Sequence, residues 1–258
     1  MKTASRLGFR TRMALCSLLG LGTLVAALSA PIAQARGTAR TPAIAMGGSI
    51  SIREQAEPHC LDPHKSAITT ETDILSSAID PVIAVDAAGH FQPDLATSWA
   101  FSSDGLQLTL HLRHGVEFSN GDPFDASSVK ASFDELLNPA TASPTAGLLS
   151  SIKQTQVVDK YTVRFVLKQH YRPLLTNLAN YDAGVIDVKA LKQQGQDKFC
   201  QYPIGTGPFK IQNVAPGFST VTVVRNPLHT WGTPAAHNQG LSYLNQIVFK
   251  TIISDATS

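Results

Sequence analysis

Residues 93–134 read PDLATSWAFSSDGLQLTLHLRHGVEFSNGDPFDASSVKASFD, and their patterning decides the fold. Ser102, Ser103, Asp104 and Gly105 are turn formers, and Gly105 tolerates the positive φ that a tight reversal needs. Beyond them Leu106, Leu108, Leu110 and Leu112 alternate with Gln107, Thr109, His111 and Arg113. A period of two puts the four leucines on one face of a half-buried strand and the polar residues on the other. Ser119, Asn120, Gly121, Asp122 and Pro123 form a second turn, which leads into a helix. Asp125 or Ser127 can cap it, and Val129, Phe133, Leu136 and Leu137 share one face. Asn138 and Pro139 stop it. The stretch is a strand-turn-strand-turn-helix unit without a catalytic residue.

Outward from it, the chain alternates short extended and helical runs. Residues 47–53 alternate as a first strand, which Pro58 and Pro63 break within EPHCLDPH at 57–64. Residues 70–79 read as a helix with Ile74, Leu75, Ala78 and Ile79 on one side. Asp80-Pro81 and the Asp86 to Gly89 run mark turns. After a Ser/Pro/Gly-rich loop at 140–147, residues 155–167 read as a hairpin around Asp159 and Lys160. Pro173 can open a helix reaching Leu178, and residues 185–193 form a further helix or turn. Residues 221–226 and 247–253 are strands. The expected class is mixed α/β.

The net charge of +2 includes an amino-terminal segment with the marks of a secretory signal. Residues 1–35 hold Lys2, Arg6, Arg10 and Arg12 and no acid, then an apolar run from Met13 to Leu28, then Ala33-Gln34-Ala35. Cleavage is expected after Ala35, followed by a short polar leader to residue 45. A membrane anchor is the alternative, but the run is shorter than the roughly 20 residues a bilayer requires. Removing the segment leaves 17 basic against 19 acidic residues, net −2, and nothing that favours nucleic acid. Two cysteines remain, Cys60 and Cys200. An even count in an oxidising compartment predicts a bridge between them; two buried free thiols are the alternative.

The order P-x-L-A-x-S-W, S-x-D-G, then T-x-x-L-R-x-G-V-x-F-x-x-G-x-P-F-x-A-x-x-V resembles the extracellular solute-binding proteins of peptide and nickel ABC transporters, family 5. It falls here on Pro93, Leu95, Ala96, Ser98, Trp99, Ser102, Asp104, Gly105, Thr109, Leu112, Arg113, Gly115, Val116, Phe118, Gly121, Pro123, Phe124, Ala126 and Val129. Further matches are Leu61-Asp62-Pro63, the Asp86 to Gly89 turn, the run Pro203 to Lys210 against P-x-G-T-G-P-F-x, Arg225-Asn226-Pro227, and Trp231-Gly232.

The resemblance implies a periplasmic-binding-protein-like two-lobe fold (type II, cluster C), of which residues 46–258 are the first lobe. Within that lobe, residues 46–72 and 183–258 are expected as a core part and 73–182 as an insertion. The second lobe is expected to be absent, with truncation the favoured reason. The resemblance further implies a monomeric periplasmic protein that binds short peptides or related solutes and hands them to a membrane permease. A binder of nickel complexes, or a remnant that no longer transports, is the alternative. The ligand-facing residues it implies are Glu57, Pro58, His59 and Cys60, offering extended backbone to a peptide; a connecting loop braced by the disulfide is the competing reading.

Enzyme motifs such as G-x-S-x-G, H-E-x-x-H and C-x-x-C do not occur in the sequence. Asp62, Asp80, Asp86, Asp94, Asp104 and Asp122 sit mostly beside Gly or Pro and read as turn and cap residues, and Asp134-Glu135 as a solvated helix face. His59, Asp62 and His64 invite a metal reading, but their spacing fits neither a helical nor a strand face, so neither metal nor cofactor is expected.

Overall fold

The computed structural model describes residues 45–253 except 235 and 237. The signal reading, the cleavage point and all but the last residue of the leader lie outside the described residues. In chain order the elements are β1 (Ser49–Glu54), α1 (Thr69–Leu75), β2 (Ile83–Val85), β3 (Phe91–Pro93), β4 (Ala96–Phe101) and β5 (Gln107–Leu112). There follow α2 (Ala126–Leu136), β6 (Ile152–Asp159), β7 (Thr162–Leu167), α3 (Leu174–Leu178), α4 (Val188–Gln194) and α5 (Gln196–Phe199). β8 (Phe209–Val214), β9 (Thr220–Arg225) and β10 (Gln246–Thr251) complete the series.

The leucine-rich stretch forms the centre of an antiparallel sheet ordered β4-β5-β7-β6. Leu108 lies opposite Phe165 and Leu110 opposite Val163, all fully buried. Helix α2 closes over this face, with Phe133 edge-on to Phe165 at 4.8 Å between ring centroids. Asp125 is its cap: the carboxylate accepts from Ser127 N at 2.8 Å and Ser128 N at 3.1 Å. Leu106 departs from expectation. The turn runs one residue further than the alternation implied, so Leu106 sits half-buried ahead of the strand.

A second sheet is ordered β1-β10-β9-β8, with β1 parallel to β10 and the other pairs antiparallel. Ser49 is in register with Gln246, so the two ends of the described chain meet in one sheet. Its core face packs Val221, Val223, Ile247 and Phe249 against Ile74 and Leu75 of α1, Leu191 of α4 and Phe199 of α5.

Apolar packing divides into two clusters. One draws on residues 82–185 together with Trp231, the other on 61–79 and 186–249. The first crossing between the clusters falls between Ile79 and Val82. The helix carrying Ile74 and Leu75 packs on the β1-β10-β9-β8 sheet, against side chains of β8, β9 and β10. Ile204 touches both clusters. The adjacent Gly-Thr-Gly turn shows why two glycines are needed there. A Cβ at Gly207 would lie 2.5 Å from the Ala78 carbonyl carbon, and one at Gly205 2.5 Å from the Ala78 oxygen. That close approach is stitched by Gly207 N to Ala78 O at 3.0 Å and by Asn226 Nδ2 to Gly207 O at 2.9 Å.

Candidate functional site

The segment after β1 carries all four residues expected to face a ligand. Strand β1 ends at Glu54, whose carbonyl accepts from Ile252 N at 2.9 Å. With two prolines ahead, the chain leaves the ladder and continues without regular structure to residue 68. Glu57 and His59 are exposed, Pro58 is buried and Cys60 is half-buried. Cys60 is bonded to Cys200, just past α5, and Leu61 N donates to Cys200 O at 2.7 Å. The two contacts tie the segment's carboxyl end to the second apolar cluster.

Its amide groups are held by a residue the sequence reading passed over. Glu71, on α1, is almost fully buried, and its Oε1 accepts from His59 N at 2.5 Å and Cys60 N at 3.0 Å. Its Oε2 accepts from the Ser66 hydroxyl. A carboxylate taking several donors is strongly held, because charge-assisted bonds exceed neutral ones. This narrows the expectation of backbone pairing, since the amides of His59 and Cys60 are already used. The amides of Ala56 and Glu57 and the carbonyls of residues 56–59 make no hydrogen bond among the described residues.

Carboxylates gather around the segment. Burial, and then the charge of Asp73, raise the Glu54 carboxyl above its ordinary value. Burial also raises Asp182, with the charge of Glu71 adding to it and a hydrogen bond from Thr72 Oγ1 at 2.8 Å opposing it. The local field therefore suits a ligand group that is positive or donates hydrogen bonds.

The three residues of the metal reading face apart. His59 Nδ1 lies 3.8 Å from Glu71, and Asp62 Oδ2 accepts from Gln196 at 2.7 Å. His64 is fully buried, with Nδ1 on the Glu135 carboxylate and Nε2 3.1 Å from the Gly184 carbonyl oxygen. One expectation is corrected here: Glu135 is not a solvated face, because besides His64 it accepts from Thr141 Oγ1 at 2.7 Å. Together His64 and Glu135 pin the loop after Cys60 to α2. Among the described residues, no group of three or more His, Cys, Asp or Glu is placed to hold a metal ion.

Residues 90–258 match the family model described as bacterial extracellular solute-binding proteins, family 5. The chain is 34% identical over 152 residues to the glutathione-binding protein GsiB of Salmonella paratyphi A, a match covering 59% of this chain and 30% of that one. GsiB of Escherichia coli K12 is 31% identical over 151 residues, covering 58% of this chain and 29% of that one. Among solved structures, the Brucella suis protein NikA in complex with Fe(III)-EDTA is 30% identical with a TM-score of 0.69, over 80% of this chain and 40% of that one. The Helicobacter pylori periplasmic binding protein DppA in complex with the peptide STSA is 26% identical with a TM-score of 0.70, over 82% and 44%. The chain thus spans about 30% of the length of the curated relatives and about 40% of the solved chains. Its fold is that of a periplasmic binding protein, and the relatives are binding proteins, not enzymes. The leucine-sheet unit, the Gly-Thr-Gly turn and the extent of the match together place the chain in the bacterial extracellular solute-binding proteins of family 5.

Proposed function

We propose that this protein is part of the substrate-binding component of an ABC importer, taking up a short peptide or a related small solute outside the inner membrane for delivery to a permease. The observation that carries the reading is the segment at residues 56–60. It is anchored by Cys200 and Glu71, is bordered by carboxylates, and has main-chain groups open between Ala56 and His59. A pre-ordered extended segment pairs with peptide backbone at low entropic cost and without side-chain selectivity. Glu57, Pro58, His59 and Cys60 then form one wall of the site, with Glu71 as the brace behind it. The relatives support this reading: the names of several cite glutathione or a bound peptide. A nickel complex is the second reading, and the likeness to NikA, whose structure holds the metal chelate Fe(III)-EDTA, favours it. The protein acts as a monomer, and its subdomains correspond to the two apolar clusters.

The test is a thermal melt of the purified protein with glutathione, trialanine and Ni(L-His) offered separately. A ligand that binds only the folded state adds about 2.7 kcal/mol at a hundredfold excess over its dissociation constant. An upward shift with glutathione or trialanine upholds the reading. A shift with Ni(L-His) alone transfers it to metal complexes, and no shift with any of the three overturns it.

A further inference from the structure

All four strands of the leucine-centred sheet end together on one side. β4 and β7 run into it at Phe101 and Leu167, and β5 and β6 leave it at Gln107 and Ile152. The connecting segments gathered there are residues 102–106, 142–151 and 168–173. Arg113, which follows β5, marks the opposite end, about 20 Å away along the strands. Two apolar side chains stand out of the near end: Phe101 is 40% exposed and Leu148 44%. Tyr171 links them. It shares a cleft of about 450 Å³ with Phe101, Gly105, His170 and Arg172, and its hydroxyl accepts from Asn177 Nδ2 at 3.3 Å. The same nitrogen donates to Leu148 O at 2.6 Å.

Lys153, Lys168 and Arg172 border these residues. All three are exposed, and none makes an ion pair among the described residues. Lys153 and Lys168 line a second groove, of about 510 Å³, with Ala146 and Ser150, and Lys168 Nζ donates to Ser150 O at 2.7 Å. The acids at this end are Asp104 and Asp134. Asp104 is spent on its own turn, accepting from Ser102 Oγ at 2.5 Å and Leu106 N at 3.0 Å, and Asp134 pairs with Lys130. The end thus holds four fixed cations, Lys130, Lys153, Lys168 and Arg172, against two carboxylates. Residues 36–258 as a whole are net −2, so positive charge is concentrated here.

Exposed apolar side chains bordered by unpaired cations suit the boundary layer of an anionic bilayer. Aromatic and aliphatic groups enter the headgroup region, while lysine and arginine meet the phosphates. An acidic protein segment fits less well, because the cations stand in two separate grooves, a spread that a plane of headgroups meets all at once. We propose that this end of the sheet, carrying Phe101, Leu148, Tyr171, Lys153, Lys168 and Arg172, docks the protein on a lipid bilayer bearing anionic headgroups. The docking is independent of which solute the protein binds. Each lysine or arginine beside an anionic surface raises partitioning about fivefold, so the three together contribute about a hundredfold.

Residues 44–258 pack as one unit, so the experiment uses the chain without residues 1–35, whose basic and apolar run would bind membranes by itself. The purified protein is floated with vesicles of phosphatidylcholine alone, or of phosphatidylcholine with one-third phosphatidylglycerol. It should float with the mixed vesicles at about 0.1 M salt and separate from them at about 1 M, where the screening length falls from about 10 Å to about 3 Å. Lys168→Gln with Arg172→Gln should lower the partitioning about twenty-fivefold. Phe101→Ser with Leu148→Ser should lower it about tenfold or more. Lys198→Gln with Lys250→Gln, which removes two exposed cations elsewhere, should leave it unchanged. The wild-type dependence on headgroup charge and salt stands even if a variant does not fold. The assignment is overturned if the protein does not float with the anionic vesicles, which would leave this end to an acidic protein partner. It is equally overturned if phosphatidylcholine alone binds as well, or if the control pair weakens binding as much as the Lys168 and Arg172 pair.

Discussion

Glu71 should be the most costly polar residue to remove in the described structure. Replacing it with alanine strips the acceptor from two backbone amides and one hydroxyl. A hydrogen bond to a charged group contributes about 1.5–3 kcal/mol net, and a buried donor left without a partner costs about 1–3 kcal/mol. His59 is exposed, so water can reach its amide and limit that loss to about 1 kcal/mol. Cys60 N and the buried Ser66 hydroxyl have poorer access, at about 1.5 kcal/mol each, giving a total near 4 kcal/mol. Glu71→Gln keeps one carbonyl oxygen, which serves either the amides or Ser66, so it should cost about half as much. Equilibrium urea denaturation reads this directly. With a slope of about 2–3 kcal/mol/M, Glu71→Ala should lower the midpoint by roughly 1.5 M and Glu71→Gln by roughly 0.8 M. A drop below about 0.4 M for the alanine variant, which is about 1 kcal/mol, would refute the brace. A full loss for the alanine variant beside no loss for the glutamine variant would show that volume, not the acceptor set, is what matters.

Two further outcomes follow from the same structure. Cys60 and Cys200 close a loop with a sequence separation of 140, for which the chain-entropy model gives about 5 kcal/mol. Cys60→Ser with Cys200→Ser should lower the denaturation midpoint correspondingly, and reducing agent should shift the wild-type protein but not the double variant. Buried Asp80 and His229, whose Oδ2 and Nε2 stand 3.9 Å apart, predict opposing pH dependences. Asp80 is raised from 3.8 to about 6, so the native state binds the extra proton; its contribution is full below 3.8 and lost as pH rises through about 6. His229 is lowered from 6.5 to about 4, so its contribution is full above 6.5 and lost as pH falls through about 4. Between pH 4 and pH 6 Asp80→Asn should make stability rise more steeply with pH, and His229→Gln should make it fall; parallel curves for both variants and wild type would contradict the assignment.

What the sequence determined by itself is local. The alternation of Leu108, Leu110 and Leu112 sets which face is buried, because the side-chain period of a strand is two whatever lies beyond it. The Asp125 cap, the Asn138-Pro139 stop and the turns of the 93–134 unit are likewise contained within a few residues, and with the motif order they suffice to identify the family. Leu106 was misplaced because a turn and a strand can both continue an alternation. Tertiary structure alone decided the rest. β1 finds β10 across nearly the whole described chain, so no window of sequence contains that pairing. Glu71 looks like any helix carboxylate until the loop ending at Cys60 folds over it. Asp80, Asp94, His64 and Glu135 sit beside turn formers or on a polar helix face, positions where exposure is the ordinary outcome. They are buried, Glu135 only partly, because the Gly-Thr-Gly turn, Trp231 and the loop after Cys60 close over them, and the hydrogen-bond partners of the Asp80 and His64 side chains lie between 71 and 126 residues away.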